Sequence, residues 1–362
     1  MFKKLKNKIM NPLFFFLNET YSSLSELFSF IIPQTPLVLK VRITSKCNLS
    51  CPFCYLKIGL NQKEDGHLTL EEWEKILTNL PKRTVVDITG AEPVAYHNLI
   101  PFIELLNRLK FKYSITTNGT LYNDATADSL VKNNLSVLMV SLDGMKDTHN
   151  RLRGSDKAFD RTIEFIRRIE AAKKKFNSKY PVISIKATVL DENYSELNDL
   201  VDFCNENFEL DVFGLTLLFQ NRARGGMELV DEFGASEFSS GNTAVFKERE
   251  KVIKSLEQII KRRSSLPFPV VIKPRMSIKS VYKYINDPSS MDVKSCPQYK
   301  NNLTLYYNGE ISPCDIGLNI GNIRELNYRF PEVYKGPRFL KFKSLMSKSH
   351  KSCQGCCAGK HS

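Results

Sequence analysis

Six apolar, β-branched runs alternate with helix-period segments along this chain, and no other feature narrows its fold as much. The runs are 37–44 (LVLKVRIT), 84–89 (TVVDIT), 112–117 (KYSITT), 136–142 (SVLMVSL), 182–190 (VISIKATVL) and 211–218 (DVFGLTLL). Helical spacing fills the gaps near 69–80, 98–110, 122–133, 158–177 and 194–208, and returns at 243–263 after the last run. Thr69 followed by Glu71 and Glu72 gives the first helix a capped start. Strands that alternate with helices pair in parallel, because each helix carries the chain back to where the next strand begins. Six units fall short of the eight that close a barrel. The expected fold is α/β: a partial (β/α)6 TIM-like barrel, open on one side.

The flanks differ from this middle. Residues 1–36 hold Lys3, Lys4, Lys6 and Lys8, then Leu17, Tyr21, Leu24, Phe28 and Ile31 at helical spacing, and end at Pro33 and Pro36. Two readings stand for this segment: a helix lying in a membrane interface, or one docked on the barrel. It is no membrane span, because Asn18, Glu19, Ser22, Ser25 and Glu26 interrupt it, and no secretory cleavage site is legible. Beyond the barrel, 266–295 is punctuated by proline, and 303–314 (LTLYYNGEISPC) reads as a hairpin turning at Asn308-Gly309. The expected division is 1–36 as a basic amphipathic segment, 37–265 as the barrel and 266–362 as a small C-terminal domain.

Charge and cysteine content narrow the class. Of 362 residues, 52 are Lys or Arg and 39 are Asp or Glu, a net charge of +13. Eleven of those thirteen charges lie in residues 1–18 and 333–362, which contain no acid. A nearly balanced middle argues against a nucleic-acid binder and leaves the ends as the places for a surface or partner. The nine cysteines are odd in number and clustered, unlike a secreted disulfide scaffold. The expected setting is a reducing cytoplasm with metal-bound thiolates, with peripheral contact at the inner face of the membrane through the N-terminus.

Three of those thiols, Cys47, Cys51 and Cys54, fall in one loop directly after the first strand. A structural zinc site closes with four donors, and no fourth lies nearby. Three thiolates hold a four-iron cluster and leave one iron open. In this loop the sequence resembles the radical SAM superfamily, with an aromatic, Phe53, before the third Cys. Further motifs follow in order at strand ends: Thr89-Gly90-Ala91-Glu92-Pro93, with Ala91 in place of the second glycine of the usual GGEP; Thr117-Asn118-Gly119; and Ser141-Leu142-Asp143-Gly144, running on to His149-Asn150-Arg151-Leu152-Arg153-Gly154.

The resemblance implies a [4Fe–4S] cluster on Cys47, Cys51 and Cys54 whose open iron chelates S-adenosyl-L-methionine (SAM). Reductive cleavage of SAM then yields a 5′-deoxyadenosyl radical that abstracts hydrogen from substrate. It implies that backbone around Gly90, Ala91, Glu92 and Pro93 takes the methionyl amino group. Asn118 and Ser141 are candidates for the ribose or carboxylate, and Arg153 for the carboxylate. An alanine at 91 suits that loop only at negative φ.

The C-terminal set is Cys296, then Cys314 after seventeen residues, then Cys353, Cys356 and Cys357. It resembles the SPASM extension in its shortened, twitch-like form, which implies a second, auxiliary [4Fe–4S] cluster on Cys296, Cys314, Cys353 and Cys356. Spacing leaves Cys357 as an alternative to Cys356. Full ligation favours electron transfer over substrate binding. Cys204 and Trp73 read as core residues, and the histidines show no paired ligand spacing.

The function expected is a radical SAM oxidoreductase acting on a peptide or protein side chain, with a one-electron donor such as flavodoxin or ferredoxin. One alternative is a radical SAM enzyme acting on a membrane lipid or lipid-linked substrate. Another is a non-enzymatic, metal-stabilised binding protein. Iron and sulfide content separates the last from the others.

Overall fold

The computed structural model describes residues 35–54, 56, 59–63, 65–217, 246–273, 277–287, 293–296, 299, 302–314 and 317–346, and the backbone of 360–361. The amphipathic start and Cys353, Cys356 and Cys357 lie outside the described residues.

All six expected strands form: β1 (Val38–Arg42), β2 (Val85–Thr89), β3 (Lys112–Thr117), β4 (Val137–Ser141), β5 (Val182–Val189) and β6 (Val212–Leu217). They pair in parallel and in sequence order. The helices between them are α1 (Leu70–Thr78), α2 (Leu99–Arg108), α3 (Asp124–Lys132), α4 (Lys146–Arg153), α5 (Ala158–Lys175) and α6 (Leu197–Asn207), followed by α7 (Arg249–Arg262). Alternation along β1 sends Leu39, Val41 and Ile43 into one core with Trp73, Ile76 and Leu77 of α1. Each such fully buried side chain contributes roughly 1.5–3 kcal/mol of transfer free energy. The other face of the sheet carries Lys40, Arg42, Asp87 and Ser114, and Ser114 donates from Oγ to Asp87 Oδ1 at 2.6 Å. A helix-covered face and a polar open face make the partial barrel.

The sheet extends past both expected edges. On one side β7 (Val270–Lys273) pairs parallel to β6, so barrel-like pairing continues beyond residue 265. On the other side β9 (Asn302–Tyr306) pairs parallel to β1, and β10 (Ile311–Ser312) returns antiparallel to β9. The full order is β10-β9-β1-β2-β3-β4-β5-β6-β7. An uncovered β1 would present a row of unpaired backbone donors and acceptors, and β9 occupies that row. The expected hairpin is present, with Gly309 at φ +87° in its turn, but it is built into the barrel sheet. The remaining elements are α8 (Ile278–Asn286), β8 (Val293–Ser295), α9 (Phe330–Lys335), α10 (Pro337–Met346) and β11 (Lys360–His361), which pairs with β8.

The short helix α4 was not legible as a periodic segment. Its sequence, KDTHNRLR, offers Leu152 as its one large aliphatic residue. Gly154 ends it in the left-handed region at φ +65°. No helix among the described residues is long and apolar enough to cross a membrane.

Candidate iron–sulfur and cofactor site

Cys47, Cys51 and Cys54 sit in the loop leaving the carboxyl end of β1, and none of them is in a disulfide. Cys51 is buried, and the other two are half-buried. The loop is held by its own backbone and by one distant asparagine. The Cys54 N–H donates to the Cys51 carbonyl at 3.1 Å. The Cys47 N–H donates to Asn61 Oδ1 at 3.0 Å, and Asn61 Nδ2 donates back to the Cys47 carbonyl at 3.1 Å. The Leu49 N–H points at Cys47 Sγ, 3.5 Å away. Burial pushes the Cys47 thiol up to about 11 and raises Cys54 as well. A bare thiolate trio is therefore disfavoured at neutral pH, and bound metal is what draws such thiols into the charged form.

The loop after β2 packs directly on this one. Gly90 has φ +109°, and a Cβ there would lie 3.2 Å from Cβ of Arg42. Ala91 is not among the residues with positive φ, so its backbone accepts a side chain. The Glu92 N–H donates to the Lys46 carbonyl at 2.9 Å, joining the two loops beside Cys47. The Glu92 side chain turns inward and is fully buried. Its carboxylate accepts from the Asn118 N–H at 2.7 Å, Thr117 Oγ1 at 2.7 Å and the Val94 N–H at 3.0 Å. Burial pushes this carboxyl upward despite those donors. Pro93 opens a short 3₁₀ turn, Pro93–Ala95.

Asn118 serves the cluster loop. Its Nδ2 donates to Asn48 Oδ1 at 3.1 Å, and its Oδ1 accepts from the Thr120 N–H at 2.8 Å. Asn48 Nδ2 in turn donates to Thr120 Oγ1 at 2.8 Å. Asn48 lies between the first two cysteines, and the polar insertion in that spacing is the signal that marks it. Ser141 ends β4, half-buried, opposite Lys186 of β5.

Arg153 reaches the loop from α4. Its Nη1 lies 3.8 Å from Cys51 Sγ and its Nη2 lies 2.5 Å from Asp143 Oδ2. The guanidinium carbon sits 5.5 Å from the Phe53 ring centroid. Arg153 Nε is buried without a hydrogen-bond partner in the protein. Three thiols in one loop, the Leu49 N–H toward the sulfur of Cys47 and the Arg153 guanidinium facing that of Cys51 form a donor set that fits an anionic iron–sulfur cluster. Among the described residues no three His, Cys, Asp or Glu side chains converge on a single metal ion.

Residues 41–204 match the radical SAM superfamily, and residues 296–357 match SPASM, an iron–sulfur cluster-binding domain. The chain carries a radical SAM domain followed by a SPASM domain. The sporulation killing factor maturation protein SkfB of Bacillus subtilis (strain 168) is 30% identical over 172 residues, which cover 47% of this chain and 40% of SkfB. The chain spans less than half the length of the curated relatives it matches. The crystal structure of Streptococcus suis SuiB bound to S-adenosylmethionine is similar at a TM-score of 0.66 and 19% identity, covering 95% of this chain and 77% of SuiB. SuiB bound to its precursor peptide SuiA gives a TM-score of 0.63 at 20% identity, covering 95% of this chain and 76% of that one. At that identity the likeness establishes the fold.

The radical SAM domain implies a SAM-binding [4Fe–4S] cluster, and the SPASM domain implies further iron–sulfur chemistry. Within the SPASM domain Cys296 and Cys314 are half-buried, pack against the core and are in no disulfide. Ser312 Oγ donates to the Cys314 carbonyl at 2.7 Å and accepts from the Cys314 N–H at 3.2 Å, fixing that residue just after β10.

Proposed function

We propose that this protein is a radical SAM maturase that abstracts hydrogen from a side chain of a peptide or protein. The observation that carries the reading is the trio Cys47, Cys51 and Cys54 in one loop at the carboxyl end of β1, where such barrels place their chemistry. Those three thiolates hold the cluster and leave one iron for SAM. When bound, the cluster and SAM together supply one-electron cleavage of the sulfonium and a 5′-deoxyadenosyl radical.

The chain's own residues position that chemistry. Gly90 to Pro93 offer backbone to the amino group of SAM, with Gly90 at φ +109° turning the loop against Arg42. Ser141, half-buried at the end of β4, is the hydroxyl assigned to the ribose or carboxylate. The Asn118 side chain orients the cluster loop through Asn48, and its backbone N–H and carbonyl are held by Glu92 and Thr162. Cys296, Cys314, Cys353 and Cys356 would hold an auxiliary cluster that would serve electron transfer, and a flavodoxin- or ferredoxin-like donor would supply the electron for SAM cleavage. A peptide substrate is supported by what the similar proteins are called: SkfB is a maturation protein, and SuiB has been crystallised with a precursor peptide.

Anaerobically reconstituted protein should bind about eight iron per chain, two four-iron clusters by ligand count. It should release 5′-deoxyadenosine from SAM only with reductant, and Cys51→Ala should abolish that release. Colourless protein containing zinc and inert toward SAM would overturn the reading.

A further inference from the structure

We propose that Arg153 is a positioning residue for electron transfer: held between Asp143 and Cys51, it sets the reduction potential of the SAM-site cluster. The inference rests on the proposed function and deepens it.

The geometry gives the guanidinium little freedom. Its Nη2 contacts Asp143 Oδ2 at 2.5 Å while its Nη1 faces Cys51 Sγ at 3.8 Å, so one planar group bridges carboxylate and thiol. The Arg153 side chain is 11% exposed and that of Asp143 is fully buried. Asp143 cannot follow a moving partner. Its Oδ1 accepts from the Thr188 N–H at 2.8 Å, its N–H donates to His149 Nδ1 at 3.0 Å, and its carbonyl accepts from Asn193 Nδ2 at 2.6 Å. Close packing of Gly154 on the cluster loop fixes the approach from the chain side, since a Cβ there would lie 2.7 Å from Ser50 Oγ.

The guanidinium therefore stands between the two groups, with the carboxylate on Nη2 and the thiol facing Nη1. The ion pair is neutral in sum, but its positive end faces Cys51. Reduction adds one negative charge to whatever the three thiolates hold, and a fixed cation in a poorly solvated site favours that state. A hydrogen bond toward a ligating sulfur acts in the same direction. Arg153 Nη1 is thus directed at the Sγ of a cluster ligand, Cys51.

The test is an anaerobic potentiometric titration of the reconstituted full-length protein, followed by EPR. The SAM-site signal is distinguished from the auxiliary one by its shift on adding SAM. In Arg153→Gln the ratio of reduced to oxidised SAM-site cluster at fixed potential should fall about tenfold, equivalent to about 59 mV for one electron. Asp143→Asn keeps the arginine and removes its counter-charge, so the ratio should move the opposite way. The affinity for SAM, read from titration of the same signal shift, should change less than threefold in Arg153→Gln. Unchanged potentials in both variants overturn the proposal. So does a large loss of SAM affinity at unchanged potential, which would make Arg153 a ligand of SAM itself. If Arg153→Gln does not load with iron, the upward shift in Asp143→Asn alone decides. Wild-type protein that binds no four-iron cluster ends the proposed function and is recognised before any variant is made.

Discussion

Arg324 of the SPASM domain clasps Glu72 of the first barrel helix through two bonds, Nε to Oε1 at 2.6 Å and Nη2 to Oε2 at 2.9 Å. Glu72 also caps its own helix, with its Oε2 accepting from the Thr69 N–H at 2.9 Å, and it accepts from Tyr328 Oη at 3.0 Å. Arg324 spends its remaining donors on the carbonyls of Gly66, His67 and Asn308. The strongest cause of the Glu72 carboxyl falling to about 2 is the hydrogen bond from Arg324. One guanidinium thus ties the turn after β9 to the loop that leads into α1.

Arg324→Met should therefore cost about 2–3 kcal/mol of stability, because it leaves a largely buried carboxylate short of its main partner. The Glu72→Gln variant should cost less, since the amide oxygen still caps the helix. The double variant should show a coupling energy of about 1–3 kcal/mol. Urea unfolding of the reconstituted protein measures the cycle. Additivity within about 0.5 kcal/mol would show that the clasp is not a cooperative unit.

Gly154 and Ser50 set up a second coupled pair. Gly154 has φ +65°, and an added Cβ would meet Ser50 Oγ at 2.7 Å. Gly154→Ala should destabilise the chain by about 1–3 kcal/mol through backbone strain and that clash. Adding Ser50→Gly removes the clashing hydroxyl and should recover part of the loss, while the strain at positive φ stays. Thermal unfolding of the single and double variants reads both terms. No recovery in the double variant would place the whole cost in the backbone.

The strands were legible because β-branched runs stand out against helical spacing, and Trp73 and Cys204 read as core and are fully buried. The loop order around Cys47, Gly90, Asn118 and Ser141 was legible as motifs at strand ends. What escaped was tertiary choice. Nothing local tells β9 to seek β1, because a free strand edge is a property of the assembled sheet. Asn61 gave no sign of clamping Cys47, fourteen residues away. Arg153 was visible as a cation in a motif, but its direction depends on Cys51, which is 102 residues distant.

The asparagine link between Asn118 and the cluster loop predicts a retention phenotype. Asn48 donates to Thr120 Oγ1 at 2.8 Å and accepts from Asn118 Nδ2 at 3.1 Å. Losing two such bonds costs about 1–2 kcal/mol, which is about a tenfold effect or slightly more on an equilibrium. Asn48→Ala should load iron as the wild type does but lose it to a chelator several-fold faster, with the auxiliary iron unaffected. Equal rates of iron loss would show that the link does not hold the loop.

His149 makes a pH-dependent contribution whose sign is fixed by its surroundings. It is fully buried, its Nδ1 accepts from the Asp143 N–H at 3.0 Å, and its Nε2 is buried without a hydrogen-bond partner. Burial first, and the nearby Arg153 charge second, push the imidazole down to about 3. The native state therefore holds this ring neutral, whereas the unfolded chain takes up a proton below a pKa of about 6.5. The unfolded state binds more protons between those two values, so stability is present above about pH 6.5 and is lost as pH falls toward 3. From pH 7.5 to 5.5 this one group should remove about 1.4 kcal/mol. His149→Gln can accept the same N–H through its amide oxygen without titrating, so its stability should vary less over that range by about that amount. Urea unfolding of both proteins at the two pH values measures the difference. Equal pH dependence in wild type and variant would mean that the ring is already protonated or solvated in the folded chain, contrary to its complete burial behind Asp143 and against Phe159, whose ring centroid lies 6.1 Å away.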